Sequence, residues 1–317
     1  MSQRVVVTGA FSYTGAAVAR ELMGRGHTVH TLTNRRPPTA GGAVTSAPLR
    51  FDRDHLTREL AGADALVSTY WIRLPHAGQT FATAVDNGRL LVDAATRAGI
   101  RRLVQVSVIN AAAGSRLGYF TAKARGEDIV RGSGLSYALV RPTMVVGPGD
   151  VLSNNIAWFL RRSPLFPVPD GGAYRVQPVT LADTARIIAD AMEERGNVEL
   201  DAAGPEVFAF ADYIRLLAEA CGVRRRIVSS PGWLALACLR VAGWFLADVV
   251  LAAEELRCLQ EELILSRAPP LGRDSVAAWL RAHGEDLGRR YVNDRRRHFG
   301  GGRTEPVLDP ATLGAGS

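Results

Sequence analysis

A tyrosine and a lysine four residues apart, Tyr119 and Lys123, are the side chains whose types and spacing could carry out acid–base chemistry. Residues at this spacing share one face of a helix. A free tyrosine, with a pKa of about 10, is a poor base at neutral pH, but a neighbouring ammonium favours the phenolate and lowers that pKa. Tyr119 could then pass a proton to or from a carbonyl or an alcohol, while the Ser107 hydroxyl holds the reacting oxygen. The alternative interpretation is a solvent-exposed pair, because this spacing often occurs by chance.

Such a pair indicates catalysis only when a nucleotide-binding sheet positions it. The N-terminal half of the chain predicts a sheet of this kind. Apolar runs at 5–7, 28–33, 47–51, 65–68, 103–108 and 137–140 read as strands. Helical stretches separate them, including one with apolar residues at helical spacing from Phe81 to Ala95 and one from Tyr119 to Gly132. Alternating strands and helices predict an α/β fold, a doubly wound parallel Rossmann sheet with helices on both faces.

The turn after the first predicted strand has the composition of a phosphate-binding loop. Gly9, Ser12 and Gly15 stand where a dinucleotide fingerprint has three glycines. Gly9 allows a sharp turn, Gly15 allows the next helix to approach the strand, and the helix N-terminus points its N–H groups at a pyrophosphate. Ser12 fits if its hydroxyl turns away or bonds a phosphate. The predicted binding residues are Gly9, Phe11, Ser12, Tyr13, Thr14 and Gly15. A tight turn without a ligand is the alternative.

The end of the second predicted strand indicates which dinucleotide is favoured. An acidic residue there would bind the ribose 2′-hydroxyl and repel a 2′-phosphate. This chain has Asn34, Arg35 and Arg36 instead, and guanidinium groups suit a phosphate, so we predict NADP(H). The alternative is that these arginines are solvated loop charges. Asp52, at the end of the third predicted strand, would contact the adenine amino group or act as a cap.

The fourth predicted strand ends at Ser68 and Thr69, followed by Tyr70 and Trp71. The carboxyl ends of such strands line the cofactor crevice. We therefore expect Ser68 and Thr69 to border the nicotinamide ribose. Tyr70 and Trp71 could do the same or could be packing aromatics.

Taken together, these motifs resemble the short-chain dehydrogenase/reductase superfamily. More narrowly, the chain resembles its extended and atypical members, which include NAD-dependent epimerase/dehydratases and relatives of the nucleotide-binding accessory subunit of respiratory complex I. The matching segments are residues 9–15, Arg35, Asp52, Asn87, Tyr119, residues 123–127, residues 140–150 and residues 178–183. The match covers roughly residues 4–220 and is specific as a set.

The resemblance implies that Tyr119 and Lys123 carry the proton chemistry, that Lys123 also binds the nicotinamide ribose, and that Pro142 lies beside the nicotinamide. Extended members usually place the catalytic hydroxyl where this chain has Val108 and Ile109. Either Ser107 supplies it from a shifted register, or the hydroxyl is absent. Atypical relatives also include proteins that bind NADP(H) without known catalysis.

The second half of the chain predicts a smaller, mainly helical lobe that shapes a substrate pocket. We predict an NADP(H)-binding domain over 1–150, to which 176–200 returns, a lobe with C-terminal helices over 151–299, and a flexible tail over 300–317. Within the lobe, 151–162 reads as a helix and 163–172 as a loop or hairpin. Asn154 and Asn155 could contact a substrate, or serve as caps. Thr180 and Asp183 read as a capping box.

An apolar stretch at 233–251 is just long enough to span a bilayer. Arg240 near its middle and Asp248 toward its end are costly there. Pro231-Gly232 and Gly243 favour two short helices, buried on the lobe. Peripheral membrane attachment or a dimer contact is the alternative interpretation.

The composition limits the remaining function classes. The chain has 317 residues, a net charge of +7 and three widely spaced cysteines, which argues against a zinc site or a disulfide framework and favours a reducing cytoplasm. The N-terminus runs directly into a strand, leaving no room for a signal peptide. The arginine runs lack the interleaved aromatics of nucleic-acid binding. We expect a monomer or homodimer that acts on a carbonyl or alcohol of a small molecule, as an oxidoreductase or an epimerase/dehydratase-like enzyme. The rival is a non-catalytic NADP(H)-binding redox sensor or assembly protein.

Overall fold

The computed structural model describes residues 2–38 and 42–299. In chain order the elements are β1 (Arg4–Thr8), α1 (Tyr13–Gly24), β2 (Thr28–Leu32), β3 (Thr45–Ala47), α2 (Arg53–Leu60), β4 (Ala65–Ser68), α3 (Phe81–Arg97), β5 (Arg102–Val106), α4 (Gly118–Arg131), β6 (Ser136–Pro142), β7 (Met144–Val146), α5 (Val151–Arg162), β8 (Leu165–Pro169), β9 (Arg175–Val176), β10 (Pro178–Thr180), α6 (Leu181–Glu193), β11 (Val198–Ala202), β12 (Phe208–Ala209), α7 (Phe210–Ala220), β13 (Arg226–Ser230), α8 (Gly232–Leu246), α9 (Ala253–Gln260), α10 (Val276–His283) and α11 (Asp294–Phe299).

The chain divides into two compact units. Unit 1 contains the chain up to Pro142 together with Thr184–Asp201. Unit 2 contains Thr143–Asp183 and the chain from Ala202 to the last described residue. The first change of unit falls at Pro142, earlier in the chain than the predicted boundary at 150. The predicted tail over 300–317 lies outside the described residues.

Unit 1 is built on a seven-stranded sheet in the order β11–β6–β5–β4–β1–β2–β3. The pairs among β1 to β6 are parallel, with Val6 opposite His30 on one side and Leu66 on the other. Central strands are covered on both faces, so they consist of continuous apolar runs whose side chains, such as Val6, Leu66, Leu103 and Leu139, are fully buried. The predicted doubly wound α/β sheet is confirmed.

The sheet differs from the prediction in several details. The third strand ends at Ala47 instead of continuing through 51, since Pro48 has no amide hydrogen to donate to the ladder. Asp52 therefore does not end a strand but stands at the N-terminus of α2. The seventh strand, β11, was not predicted as a strand.

Unit 2 is mainly helical, with three two-stranded pairings among its described residues. Its core joins α5, α7 and α10 through buried side chains such as Leu160, Tyr213, Leu217 and Leu280. The prediction of a loop or hairpin at 163–172 is wrong, because β8 pairs in parallel with β13. The partner strand lies far along the chain, so no local turn motif predicts the pairing.

Asn154 and Asn155 in α5 are buried and bind the chain near α11. Asn155 accepts a hydrogen bond from the Val292 N–H and donates one to its carbonyl, both at 2.9 Å. Asn154 accepts from the Gly288 N–H at 3.0 Å and donates to the Arg290 carbonyl at 2.9 Å. Both asparagines thus hold the C-terminal segment in place. The expectations of a substrate contact or a helix cap do not describe these bonds.

The apolar stretch at 233–251 contains one helix, α8, which ends at Leu246, and not two buried helices. Its side chains Trp233 and Trp244 are 72% and 79% exposed. Gly243 does not end the helix. It lies inside α8 and permits a close contact, because a Cβ there would lie 2.5 Å from the Asp248 carbonyl oxygen. The chain that follows α8 folds back and buries Gly243, whereas Trp233 and Trp244 stay exposed to solvent. None of the helices that the structure describes is long and apolar enough to cross a membrane.

Candidate active site

The loop between β1 and α1 forms a backbone cradle at the start of a helix. Gly9 has φ +74°, a conformation that favours glycine, and its N–H donates to the Leu32 carbonyl at 2.9 Å. A Cβ on Gly15 would lie 2.2 Å from the Gly9 carbonyl oxygen, so only glycine permits this approach of α1 to the loop. The first N–H groups of a helix have no acceptor within it and suit an anion.

The side chains of the loop face different surroundings. The Ser12 hydroxyl donates to the Gly9 carbonyl at 2.6 Å, so it turns back onto the loop. This is one of the two ways in which a serine was expected to fit this position. Phe11 is buried in the core, which leaves its backbone as the part able to contact a ligand. Tyr13, Thr14 and Gly15 form the first turn of α1.

Two threonines outside the predicted site, Thr8 and Thr31, join the carboxyl ends of the neighbouring strands. The Thr8 hydroxyl accepts hydrogen bonds from the N–H groups of Thr69 and Tyr70, at 2.8 and 3.1 Å, and the Thr69 hydroxyl donates to the Thr8 carbonyl. Buried Thr31 donates to the Val7 carbonyl and accepts from the Ala10 N–H. Their signal in the sequence is a threonine at or next to the end of an apolar strand.

The residues predicted to bind the adenosine end follow β2 and β3. The Asn34 amide bonds the Leu49 backbone at 3.0 and 3.1 Å and so joins these two segments. Arg35 is half-buried and Arg36 exposed, both beyond the end of β2. Asp52 accepts the His55 N–H at 2.8 Å as the cap of α2. Asp52 therefore acts as a helix cap, as one of its two interpretations predicts. Its contact with adenine, and the contact of Arg35 and Arg36 with a 2′-phosphate, stay predictions.

The structure brings Ser107 and Lys123 together at the carboxyl end of β5. The Lys123 ammonium is buried and donates to the carbonyl of Val106, the residue directly before Ser107, at 3.1 Å. Ser107 donates its backbone N–H to Val140, but its hydroxyl is buried without a partner among the residues that the structure describes. A buried polar atom of this kind calls for an explanation such as a bound ligand.

Aromatic rings complete the cluster around Lys123. The ammonium lies 4.4 Å from the ring centroid of Trp71 and 5.9 Å from that of Tyr119. The Tyr119 ring meets Trp71 and Phe81 edge-on, with centroids 6.2 and 5.8 Å apart. The Trp71 indole nitrogen is buried and, within 2–38 and 42–299, has no hydrogen-bond partner. Trp71 is therefore a site candidate together with Tyr119, Lys123 and Ser107. From the sequence, Trp71 could also have been a packing residue.

Burial changes the charge state expected for Lys123. Removal from water lowers the pKa of Lys123 to about 7, and nearby Glu127 opposes this only in part. Glu127 is itself paired with Arg141, at 2.8 and 2.7 Å, and with Arg131, at 2.9 Å. At neutral pH a large share of Lys123 is therefore uncharged in the free protein.

Two further residues of the family resemblance have structural partners here. The Asn87 amide donates to the Tyr70 hydroxyl at 2.9 Å, which fixes Tyr70 against Phe51. Burial raises the pKa of Tyr70, so this phenol stays neutral. Pro142, the last residue of β6, accepts the Ile109 N–H through its carbonyl at 3.2 Å. That bond aligns the segment after β5, where Ser107 stands.

These residues fit a dinucleotide. The glycine cradle has no room for a Cβ at Gly15, and the unpartnered polar atoms of Ser107 and Trp71 lie beside a buried lysine. The described part of the chain holds no group of three or more histidine, cysteine or acidic side chains that could hold a metal ion. Ser68 and Thr69, at the end of β4, occupy the neighbouring strand end as expected.

Comparisons with known proteins agree with this geometry. Residues 9–157 match the family model described as NAD(P)H-binding. The chain is 26% identical over 234 residues to a ceramide reductase of Caulobacter vibrioides, covering 72% of this chain and 73% of that protein. It is 25% identical over 192 residues to the mitochondrial NADH dehydrogenase (ubiquinone) 1 alpha subcomplex subunit 9 of Arabidopsis thaliana, covering 58% of this chain and 48% of that protein. The chain thus spans less than half of that second relative.

Solved structures share the fold at low sequence identity. A nucleoside-diphosphate-sugar epimerase from Staphylococcus aureus superimposes with a TM-score of 0.66 and 16% identity, covering 89% of this chain and 100% of that one. The parallel sheet, the glycine cradle and the family match agree with one another. Through residues 9–157 the chain is similar to the NAD(P)H-binding family, on a Rossmann-like sheet.

Proposed function

We propose that this protein is an NADP(H)-dependent oxidoreductase of the short-chain dehydrogenase/reductase type, acting on a carbonyl or alcohol of a small molecule. The observation that carries the proposal is the buried Lys123 ammonium beside the unpartnered Ser107 hydroxyl, with Tyr119 one helical turn away. Leaving a hydroxyl unpaired in a protein interior costs free energy, which a bound oxygen would recover. The relative named as a reductase supports the same class of reaction.

Each residue of the cluster has a role in this proposal. The Ser107 hydroxyl holds the reacting oxygen, and Tyr119 passes a proton to or from it. When protonated, Lys123 favours the Tyr119 phenolate, while its bond to the Val106 carbonyl keeps the ammonium at the end of β5. Bound NADP(H) supplies or accepts the hydride. An epimerase or dehydratase that oxidises its substrate transiently would use the same groups.

The choice of NADP(H) over NAD(H) rests on Arg35 and Arg36 and on the lack of an acidic residue beside them. Two guanidinium groups favour a 2′-phosphate through charge-assisted hydrogen bonds. Calorimetric titration of the full chain with NADPH and NADH tests this. We expect NADPH to bind at least about ten-fold more tightly, a difference of about 1.4 kcal/mol. Equal affinities would contradict the assignment.

The Tyr119→Phe variant tests the catalytic role. After a screen of aldehydes, ketones, alcohols and sugar nucleotides has found a substrate, turnover by this variant should fall by about 100- to 10,000-fold, because the transferable proton is gone. Affinity for NADPH should stay within two-fold, about 0.4 kcal/mol. Tyr137→Phe in β6 is the matched control and should leave turnover unchanged. Normal turnover by Tyr119→Phe would contradict the mechanism.

A second candidate function is NADP(H) binding without catalysis. Two observations favour it: Val108 and Ile109 stand at the usual positions of the catalytic hydroxyl, and the Lys123 ammonium bonds a backbone carbonyl. In that case NADPH would bind tightly, the screen would find no substrate, and Tyr119→Phe would change nothing measurable.

A further inference from the structure

Unit 2 contains an apolar chamber of about 230 Å³ that the proposed redox chemistry does not use. Its walls come from α5, β8, α7, α8 and α9, through side chains such as Leu152, Ile156, Phe166, Leu239 and Leu256. An apolar cavity of about 150 Å³ already accepts a ligand the size of benzene. The chamber is therefore large enough for a hydrocarbon group.

The polar side chains of the wall are almost all engaged within the protein. Both ends of the Asn155 amide bond the Val292 backbone, and the Ser163 hydroxyl donates to the Leu165 carbonyl at 2.6 Å. Tyr174 is different, because its hydroxyl is buried and meets no hydrogen-bond partner in the part of the chain that the structure describes. Burial raises the pKa of Tyr174, so this hydroxyl remains a donor. The wall thus suits a mostly apolar ligand that carries one oxygen atom.

Helix α8 forms one wall of the chamber and has two apolar sides. Ala235, Cys238, Leu239 and Ala242, at helical spacing, line the chamber. On the opposite side, Trp233, Val241, Trp244 and Phe245 are 60–79% exposed. An exposed apolar face of this kind marks an interaction surface in a soluble domain.

Basic side chains lie along α8 and at its C-terminal end, while the Asp170 carboxylate lies at its N-terminal end, where it accepts the Gly232 N–H at 3.1 Å. Helix α8 contains no acidic residue, and its single charged residue is the exposed Arg240. Arg295 and Arg296 of α11 are exposed at the C-terminal end of α8. They are held there by Asp248, whose carboxylate accepts the N–H groups of Asp294 and Arg295 at 3.1 and 3.2 Å. Tryptophan and arginine side by side on an apolar face suit the headgroup region of an anionic bilayer.

We propose that unit 2 binds the hydrocarbon chain of a membrane lipid in this chamber, and that the outer face of α8 lies on the bilayer from which the lipid comes. The two features share one helix, so the chamber and the face that lies on the bilayer are formed by two sides of α8. Tyr174 donates to an oxygen of the same lipid. This site is independent of the proposed NADP(H) chemistry of unit 1.

Displacement of a fluorescent fatty acid, cis-parinaric acid, from the full chain tests the chamber. Ala242→Phe places a ring in the chamber and should weaken binding of the probe at least ten-fold, about 1.4 kcal/mol. Ala237→Phe makes the same change on the exposed side of α8 and should leave the affinity within two-fold, about 0.4 kcal/mol. Equal affinities of the two variants, or no binding by the unchanged protein, would overturn the proposal.

Competition between parinaric acid and saturated fatty acids of increasing length then measures how long a hydrocarbon chain the chamber holds. Each added methylene should tighten binding about four-fold, equal to about 0.8 kcal/mol, until the chamber is filled. Affinity independent of chain length would contradict a hydrocarbon site. Calorimetry with NADPH on the same samples reports on unit 1, so the loss of chain binding with normal NADPH affinity rejects this inference and leaves the proposed function standing.

Flotation with phosphatidylcholine vesicles, with and without phosphatidylglycerol, tests the outer face. We expect binding that needs the anionic lipid, is lost in Trp244→Ser/Phe245→Ser and weakens at high salt. Arg295→Ala/Arg296→Ala should weaken binding to the anionic vesicles about ten-fold, about 1.4 kcal/mol. A dimer in sedimentation equilibrium that Trp244→Ser/Phe245→Ser dissociates, without vesicle binding, would show that a second copy covers this face and would overturn the proposal.

Discussion

The glycine cradle of unit 1 and the apolar chamber of unit 2 are shaped by different parts of the chain. In the cradle the limits are set by backbone atoms, since a Cβ at Gly15 would lie 2.2 Å from a carbonyl oxygen. Unpartnered polar atoms of Ser107 and Trp71 remain near a buried lysine. In the chamber the limits are set by side-chain volume, and one hydroxyl, that of Tyr174, lacks a described partner. A polar, charged ligand suits the first, and an apolar ligand suits the second.

Gly15→Ala should separate the two regions most clearly. The added Cβ meets backbone that cannot rotate away, so the loop must shift, and affinity for NADPH should fall by about 100-fold, equal to about 2.7 kcal/mol. Calorimetry measures this affinity, while binding of parinaric acid to unit 2 should be unchanged. Gly24→Ala, in the same helix with no described atom within 4 Å of the new Cβ, is the control. NADPH affinity that stays normal in Gly15→Ala would mean that the cradle does not contact the cofactor.

Lys123→Met tests whether the buried Lys123 ammonium lowers the free energy of unfolding. The pKa of Lys123 is lowered from 10.5 to about 7, so between these values the unfolded chain holds a proton that the folded chain lacks. The lysine therefore makes unfolding easier as pH falls from 10.5 to 7. Lys123→Met should raise stability at pH 7 by on the order of 2 kcal/mol and remove this part of the pH dependence. Urea unfolding at several pH values measures both effects.

Lys123→Arg is the matched variant, since arginine keeps its charge throughout this range. It should be less stable than the unchanged protein. If Lys123→Met is destabilised and its pH profile is unaltered, the lysine does not bear a desolvated charge, which would contradict its proposed role beside Tyr119.

Asn155→Ala examines the polar bonds of unit 2. The substitution leaves the Val292 N–H and carbonyl without their partner and should lower the free energy of unfolding by about 1–2 kcal/mol. Thermal unfolding measures the change, and NADPH affinity should stay normal because the bonds lie wholly within unit 2. Asn197→Ala, which removes one exposed bond to the Tyr137 N–H, should cost less. A larger loss in Asn197→Ala would show that these asparagine bonds are not what holds the C-terminal segment.

Glu199→Gln should have the smallest effect. Arg131 and Arg141 lower the pKa of Glu199 to about 2, so its carboxylate stabilises the fold above pH 4.5, and the contribution is lost as pH falls toward 2. A third of the side chain is exposed, so solvent screening limits the loss at pH 7 to about 0.5 kcal/mol. Urea unfolding at pH 7 and pH 3 should show the difference shrinking with acid. Glu219→Gln, from a more exposed pair 3.7 Å apart, should change nothing.

The sequence predicted the sheet of unit 1 well because its strands carry their own signal. Central parallel strands are apolar throughout, and β4 has the predicted bounds Ala65–Ser68. The pairings of unit 2 were missed because they join distant segments, as β8 with β13 does. The interpretation of α8 as buried failed for a related reason. Apolar composition alone does not distinguish a helix in a core from one with an open face, such as that of Trp244.

By itself the sequence determined that a glycine-bounded turn follows an apolar strand and that Tyr119 and Lys123 share a helix face, because local spacing decides both. Only the tertiary structure decided that Lys123 is buried and bonded to the Val106 carbonyl, that Ser107 lacks a described partner, and that Asp52 caps a helix. The physical reason is that burial, and the pKa change it causes, depend on which distant segments pack together. No spacing along the chain contains that information.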